Sequence, residues 1–213
     1  MKIKPSVKLA ISGALLALGV SASALAQSAT PVTNTDSGGL LGQTYTGVEF
    51  GYTHHVEGLP SVLHRYGFVS SRPLAEAKEN VDAAFRYNYT RGSALGATAT
   101  QHDVAVAFTG YLPLQNVKPF IEGDAGWVWS RGDAAHESSF LYLFGAGAEF
   151  ALARQLALTP FVTYQEAPRF HDHVWNYGAK ASYRFNRDWS STLTVQADDQ
   201  HNVEYAVGVQ RRF

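Results

Sequence analysis

The 213-residue sequence contains no cysteine and a single methionine. The lack of cysteine excludes a disulfide scaffold, thiolate catalysis and cysteine-based zinc sites. Charge is sparse. Asp, Glu, Lys and Arg make up 16% of the chain, against about a quarter in an ordinary globular domain. Lys and Arg number 17, Asp and Glu 18, for a net charge of -1. With no basic excess to neutralise phosphates, no nucleic-acid partner is expected. Mean hydropathy is -0.14, which excludes a helical membrane bundle. No helical pattern of useful length follows residue 42. What stands in excess is the aromatic content, 13% of the chain.

The first 26 residues carry three features in order. Lys2, Lys4 and Lys8 form a basic head, Leu9 to Val20 an apolar stretch, and Ala24-Leu25-Ala26 a small-x-small end. That order predicts a secretory signal peptide over 1–26. The apolar stretch falls short of the roughly 20 residues that cross a bilayer as a helix. No cysteine follows the expected cleavage point, so lipid attachment there is excluded. Residues 27–42 are small and polar and predict a flexible periplasmic leader.

From residue 43 onward the pattern has a period of two, the mark of strands. Over 44–54, Val48, Phe50 and Tyr52 share one face, while Tyr45, Gly47, Glu49 and Gly51 share the other. Over 138–151, Phe140, Tyr142, Phe144 and Phe150 oppose Leu141, Leu143, Gly145, Gly147 and Glu149. A soluble sandwich buries its apolar face and wets the other. Here the second face holds Gly, Ala, Ser and isolated charges. Small and charged side chains suit the crowded interior of a closed cylinder, and the aromatic face then meets lipid. A soluble β-sandwich or lipocalin-like barrel is the alternative, since alternation alone does not distinguish inside from outside.

Turn signals divide 43–213 into ten strands: 44–54, 63–71, 80–91, 101–112, 117–129, 138–151, 156–165, 172–185, 189–198 and 202–213. The fold expected is all-β, a single closed antiparallel transmembrane β-barrel of ten strands. Segment 63–71 alternates least cleanly, which leaves eight strands as the alternative. Even parity puts both ends of the barrel on one side. Aromatics gather in two bands. Tyr52, Tyr89, Trp129 and Trp175 mark one rim, and Tyr183, Phe185, Trp189 and Phe213 the other. Tyr and Trp suit a lipid–water boundary because each has an apolar body and a polar tip.

The last strand carries a resemblance. Tyr205, Val207, Val209 and Phe213 alternate and end on an aromatic, which resembles the C-terminal assembly signal of Gram-negative outer-membrane proteins. Arg211 departs from that pattern, where a hydrophobic residue is usual. Tyr183-Arg184-Phe185-Asn186, followed by Trp189, is similar to a turn of small OmpA-like barrels. The resemblance implies residence in the cell outer membrane. It also implies contact with outer-membrane lipids and lipopolysaccharide, and handling by the barrel-assembly machinery. A monomer and no cofactor are expected.

Candidate site residues fall in two groups. By parity the interior holds Glu49, Asp82, Glu122, Asp124, Glu149 and Glu204 with Arg65, Arg86, Lys180 and Arg184. An unpaired buried ion costs several kcal/mol, so these charges read as a salt-bridge network or as the lining of a narrow channel. The histidines all fall at one rim or its loops. His54, His55, His64 and His201 approach one another if the barrel closes. Imidazole with carboxylate suits Zn, Ni or Cu(II), although no fixed ligand spacing is present. Protonation at low pH and contact with lipopolysaccharide head groups are the other readings. The function expected is a structural or porin-like surface protein. The alternative is a rim-active hydrolase, an omptin-like protease using Asp198, Asp199 and His201 or Asp172 and His173, or a lipid A-modifying enzyme using His64 and Ser61. No complete catalytic set can be assembled, and the expectation is that the chain is not an enzyme.

Overall fold

The computed structural model describes residues 38–55, 62–74, 80–94, 97–131, 136–170 and 172–213. The signal peptide expected over 1–26 and the leader up to residue 37 lie outside them. The described residues form ten strands: β1 (Tyr45–His55), β2 (Val62–Pro73), β3 (Val81–Ala94), β4 (Ala97–Tyr111), β5 (Val117–Arg131), β6 (His136–Ala153), β7 (Leu156–Ala167), β8 (Asp172–Arg184), β9 (Trp189–Asp198) and β10 (Asn202–Arg212). A short 3-10 turn, Pro168–Phe170, joins β7 to β8.

Each strand pairs antiparallel with its sequence neighbour, and β1 pairs with β10 along its whole length, from Tyr45 opposite Arg212 to His55 opposite Asn202. The sheet therefore closes on itself with ten strands, not eight. β2, the segment of weakest alternation, is fully paired with β1 and β3. Its pattern was blurred by Arg65 and Ser71 on one face and His64 and Ser70 on the other.

Side-chain direction follows the alternation. The exposed large side chains point away from the axis; Ile121 is 70% exposed and Phe144 61%. What is buried is small or polar: Ala105, Ala107, Ala157 and Ala206, with Ser182, Ser190, Thr192 and Thr194. The molecule is thus turned inside out relative to a water-soluble domain. Val128, Leu141 and Ala167 form one small apolar cluster inside, with Phe170 of the 3-10 turn packed on it.

The strands outrun expectation at one end. Residues 92–100 read as a loop, yet β3 continues to Ala94, opposite Ala97 of β4. Above the hydrocarbon neither face has to be apolar, so the alternation fades while backbone pairing continues. At the other mouth, Gly38 to Gly42, the end of the stretch read as a flexible leader, run into the barrel, where Gly38 to Leu40 are buried.

A charge on the outward face should cost far more than an apolar swap. Phe144→Lys is expected to lower unfolding free energy by about 2–4 kcal/mol. Phe144→Leu should stay close to the parent. Urea titration of vesicle-refolded protein, followed by tryptophan fluorescence, checks this; coincident transitions would contradict the inside-out assignment.

Candidate functional site

The interior is organised around two arginines. Arg65 on β2 lies between strands that each bring it a partner. Its Nη2 donates to Glu49 Oε1 on β1 at 2.6 Å and to Glu204 Oε1 on β10 at 2.5 Å, and its Nε donates to Glu204 at 2.8 Å. Nη1 donates to Asn88 Oδ1 on β3 at 3.2 Å, and Asn88 Nδ2 passes the chain on to Asp103 of β4 at 2.8 Å. Gln196 of β9 donates to the free side of Glu204 at 3.2 Å. One guanidinium thus links strands from β9 around to β4. The backbone makes room for it. A Cβ on Gly51 would meet Glu204 Oε1 at 2.8 Å and Arg65 at 3.3 Å.

Arg86 on β3 reaches past β4 to β5. It donates to Asp124 Oδ2 at 2.6 Å and to Glu122 Oε2 at 3.0 Å. The inward residues of β4 on that path are Ala105 and Ala107, both buried and too short to block it. Gly145 on β6 leaves space behind, since a Cβ there would lie 2.9 Å from Glu122 Cγ. The opposite wall, β7 to β9, offers mainly hydroxyls and amides: Thr159, Thr163, Ser182, Thr192, Thr194 and Gln196. Lys180 extends from that wall into the same space.

Between the walls lies a cavity of about 530 Å³. Its lining runs from Leu40, Leu41 and Glu149 at one mouth to Thr53, Asp198 and Asn202 at the other. Among the described residues, Asp82 Oδ1, Asp124 Oδ1 and Thr194 Oγ1 meet no hydrogen-bond partner. Buried oxygens of this kind are satisfied by water, so the lumen is wet.

Residues 38–42 close in on the first mouth. The Glu149 carboxylate accepts the N–H of Leu40 at 2.7 Å and of Leu41 at 3.3 Å. Asp82 accepts the N–H of Gly42 at 2.8 Å. Lys118 Nζ donates to the Leu41 carbonyl at 2.6 Å, and Arg212 donates to the Gly39 carbonyl. Gly39 packs against Glu149 so tightly that any Cβ would collide with the carboxylate.

Of the ten charged residues expected to face inward, nine line the cavity and Arg184 does not. Glu49, Arg65, Glu204, Arg86, Glu122 and Asp124 form the two clusters, and Asp82 and Glu149 hold the N-terminal segment. Arg184 lies at the end of β8, where it donates to the Arg154 carbonyl at 3.3 Å. The sequence reading missed Asn88 and the partners Lys118 and Arg212. Asp103 was not among the charges expected inside, yet it lines the cavity. Its inward parity on β4 was the available signal for its place beside Asn88.

The rim histidines are arranged differently. His54 and His64 fall on the outward parity of β1 and β2. His64 stacks on Phe50, with ring centroids 6.0 Å apart, and lies 5.8 Å from Tyr52. His201 sits in the β9–β10 turn with a positive φ of 68°, and His55 stands opposite Asn202 in the backbone register. Among the described residues no three His, Asp or Glu side chains are grouped as a metal site would need. The acids beside His201 serve the turn. Asp198 accepts the N–H of Gln200 at 2.9 Å and of Asn202 at 2.8 Å, and Asp199 accepts the N–H of Trp175 at 3.1 Å. Ser61 lies outside the described residues. Tyr205, Val207, Val209 and Phe213 all point outward and are exposed, and Arg211, the departure from the assembly pattern, lies 5.2 Å over the Phe213 ring.

No protein-family model and no curated protein matches the sequence. Among solved structures, the translocator domain of the autotransporter NalP from Neisseria meningitidis aligns over 98% of both chains, with a TM-score of 0.51 and 12% identity. The NanC porin aligns over 79% of this chain and 100% of its own, with a TM-score of 0.49 and 10% identity. The N-terminal β-barrel domain of Pseudomonas aeruginosa OprF covers 80% of this chain and 98% of its own, with a TM-score of 0.41 and 10% identity. The chain has the outer-membrane β-barrel fold. In an outer-membrane barrel the short turns lie at the periplasmic end. Here that end carries the N-terminal segment held by Glu149 and Asp82, while the outer end carries the histidines and the 3-10 turn.

Removing the Arg65 guanidinium would leave Glu49 and Glu204 facing each other unpaired. Arg65→Met should destabilise the barrel by about 3 kcal/mol, the usual result of breaking a largely buried pair. Adding Glu49→Gln and Glu204→Gln should restore most of that loss. Thermal unfolding in detergent, read from the heat-dependent gel shift, measures both; a harmless single variant would contradict the clustering.

Proposed function

We propose that the protein is a narrow, cation-preferring pore of the outer membrane whose periplasmic mouth is restricted by its own N-terminal segment. The observation that carries this reading is the wet cavity lined by residues from both ends of the barrel. A barrel needed only as an anchor has no requirement for such a space. Fixed charge sets the preference. Eight carboxylates line the cavity, Glu49, Asp82, Asp103, Glu122, Asp124, Glu149, Asp198 and Glu204, against Arg65, Arg86 and Lys180. A low-dielectric wall concentrates that excess field in the bore, which attracts cations and repels anions.

The Arg65 and Arg86 clusters narrow the bore from one side, while the hydroxyl wall stays open to water. Small hydrated cations and small neutral solutes fit this geometry. The Glu149 carboxylate, by holding two backbone N–H groups, keeps residues 38–42 in the periplasmic mouth.

Planar-bilayer recording of the refolded protein tests the reading. In a KCl gradient the reversal potential should favour K⁺ over Cl⁻ by roughly threefold or more, the sense that ring charges impose in narrow pores. Silence under all voltages would leave the barrel as a structural surface protein and remove the pore. Glu149→Ala should raise unitary conductance about twofold or more by releasing the N-terminal segment, if mouth width sets the barrier. Unchanged conductance would exclude residues 38–42 as the restriction.

A further inference from the structure

The outward face of β2 to β6 carries two rungs at the outer rim that the lumen does not explain. The lower rung follows the register from Tyr66 through Tyr89 and His102 to Trp129 and Ser138. The upper rung follows it from His64 through Arg91 and Thr100 to Arg131. Two residues separate the rungs, so the arginines stand roughly 6–7 Å along the strand beyond the aromatics. Arg169 of the 3-10 turn comes in above β6, and its Nη1 reaches the Ser138 carbonyl at 3.5 Å.

Tyr89, Thr100, His102, Trp129, Arg131 and Arg169 border a groove of about 490 Å³. Its floor is Thr100 and His102, its sides Tyr89 and Trp129, and its upper edge Arg131 and Arg169. The floor is held rigidly. His102 Nδ1 meets the Tyr87 hydroxyl at 2.9 Å, and its ring lies 4.8 Å from that of Tyr89. Arg91, Arg131 and Arg169 are all exposed. Among the described residues Glu137 is the groove's carboxylate, and no ion pair within 4.0 Å joins it to an arginine. The outward residues of β2 to β5 include no acid. A protein this poor in charge has placed two guanidinium groups on one outward rung and a third on the adjoining 3-10 turn, and among the described residues no carboxylate lies within 4.0 Å of any of them.

We propose that this groove seats a phosphorylated lipid of the outer leaflet. Its phosphate is held between Arg131 and Arg169 with Arg91 alongside, and its acyl chains run down past Tyr89 and Trp129. The chemistry selects that occupant. Guanidinium groups bind phosphate oxygens through paired, charge-assisted hydrogen bonds. The site lies one rung above the aromatic belt, the level at which lipid head groups meet water. It opens sideways from the barrel, toward the membrane, so a lipid reaches it without leaving the leaflet. His102 and Ser138 remain as further donors for the sugar or phosphate of the head group.

Native mass spectrometry of the refolded full-length protein in detergent, titrated with bis-phosphorylated lipid A, tests the proposal. The parent should retain one lipid, and Arg131→Gln/Arg169→Gln should weaken retention roughly tenfold or more, the loss of two charge-assisted bonds. Arg131→Lys/Arg169→Lys should fall between them. Arg187→Gln, at the periplasmic turn, should bind as the parent does. The heat-dependent gel shift establishes that each variant is folded. Equal retention by the parent and the double Gln variant would overturn the site, as would equal retention of the dephosphorylated lipid. Displacement of the lipid by inorganic phosphate at equal concentration would overturn the lipid as occupant.

Discussion

Hydrocarbon offers a backbone no hydrogen-bonding partner, and everything else in this molecule follows from that. Each unpaired N–H or C=O in such a medium costs several kcal/mol. An open sheet always leaves two edges unpaired, so the sheet must close. Here closure is achieved by β1 and β10, whose register runs without a break. The sequence pays no attention to forming a hydrophobic core, and it has almost none. It instead makes every second side chain compatible with lipid and the rest compatible with a confined, wet interior.

That interior explains the odd distribution of small residues. A ten-stranded barrel is only slightly wider than one whose side chains fill it completely. Two arginines with their acids would not fit unless neighbouring positions were nearly empty. Gly51 and Gly145 are empty where Arg65 and Glu122 need space, and Ala105 and Ala107 lie under the path of Arg86. Charge placement and glycine placement are therefore one design. Carboxylates outnumber cations among the residues that line the cavity, eight to three.

Much of this was legible from the residue pattern because a period of two over ten-residue segments marks strands, and the small, charged second face marks a closed interior. Glu49, Arg65, Arg86 and Glu122 could be assigned to the interior by parity alone. Which of them touch could not, since pairing depends on register between strands far apart in sequence. Arg65 and Glu204 are separated by 139 positions. The seating of residues 38–42 was hidden for a different reason. Those residues, Gly-Gly-Leu-Leu-Gly, carry no charge and no alternation to mark them, and their partners Glu149, Asp82, Lys118 and Arg212 come from four strands. The strand ends near Ala94 and Ala97 escaped because alternation reports burial, and pairing there continues without it. The arginine groove was hidden likewise, because Arg131 and Arg169, 38 positions apart, come to border one groove only once strands are aligned.

The seam between the first and last strands also governs how the molecule can come into being. The N–H of Phe213 donates to the Thr44 carbonyl at 3.0 Å, so the residue after β10 fastens the one before β1. Nothing short of all ten strands can complete the circumference. A truncated copy lacking either terminal strand would present two raw borders to the surrounding oil. Closure is thereby all-or-nothing, and the seam between β1 and β10 is the clasp that decides it.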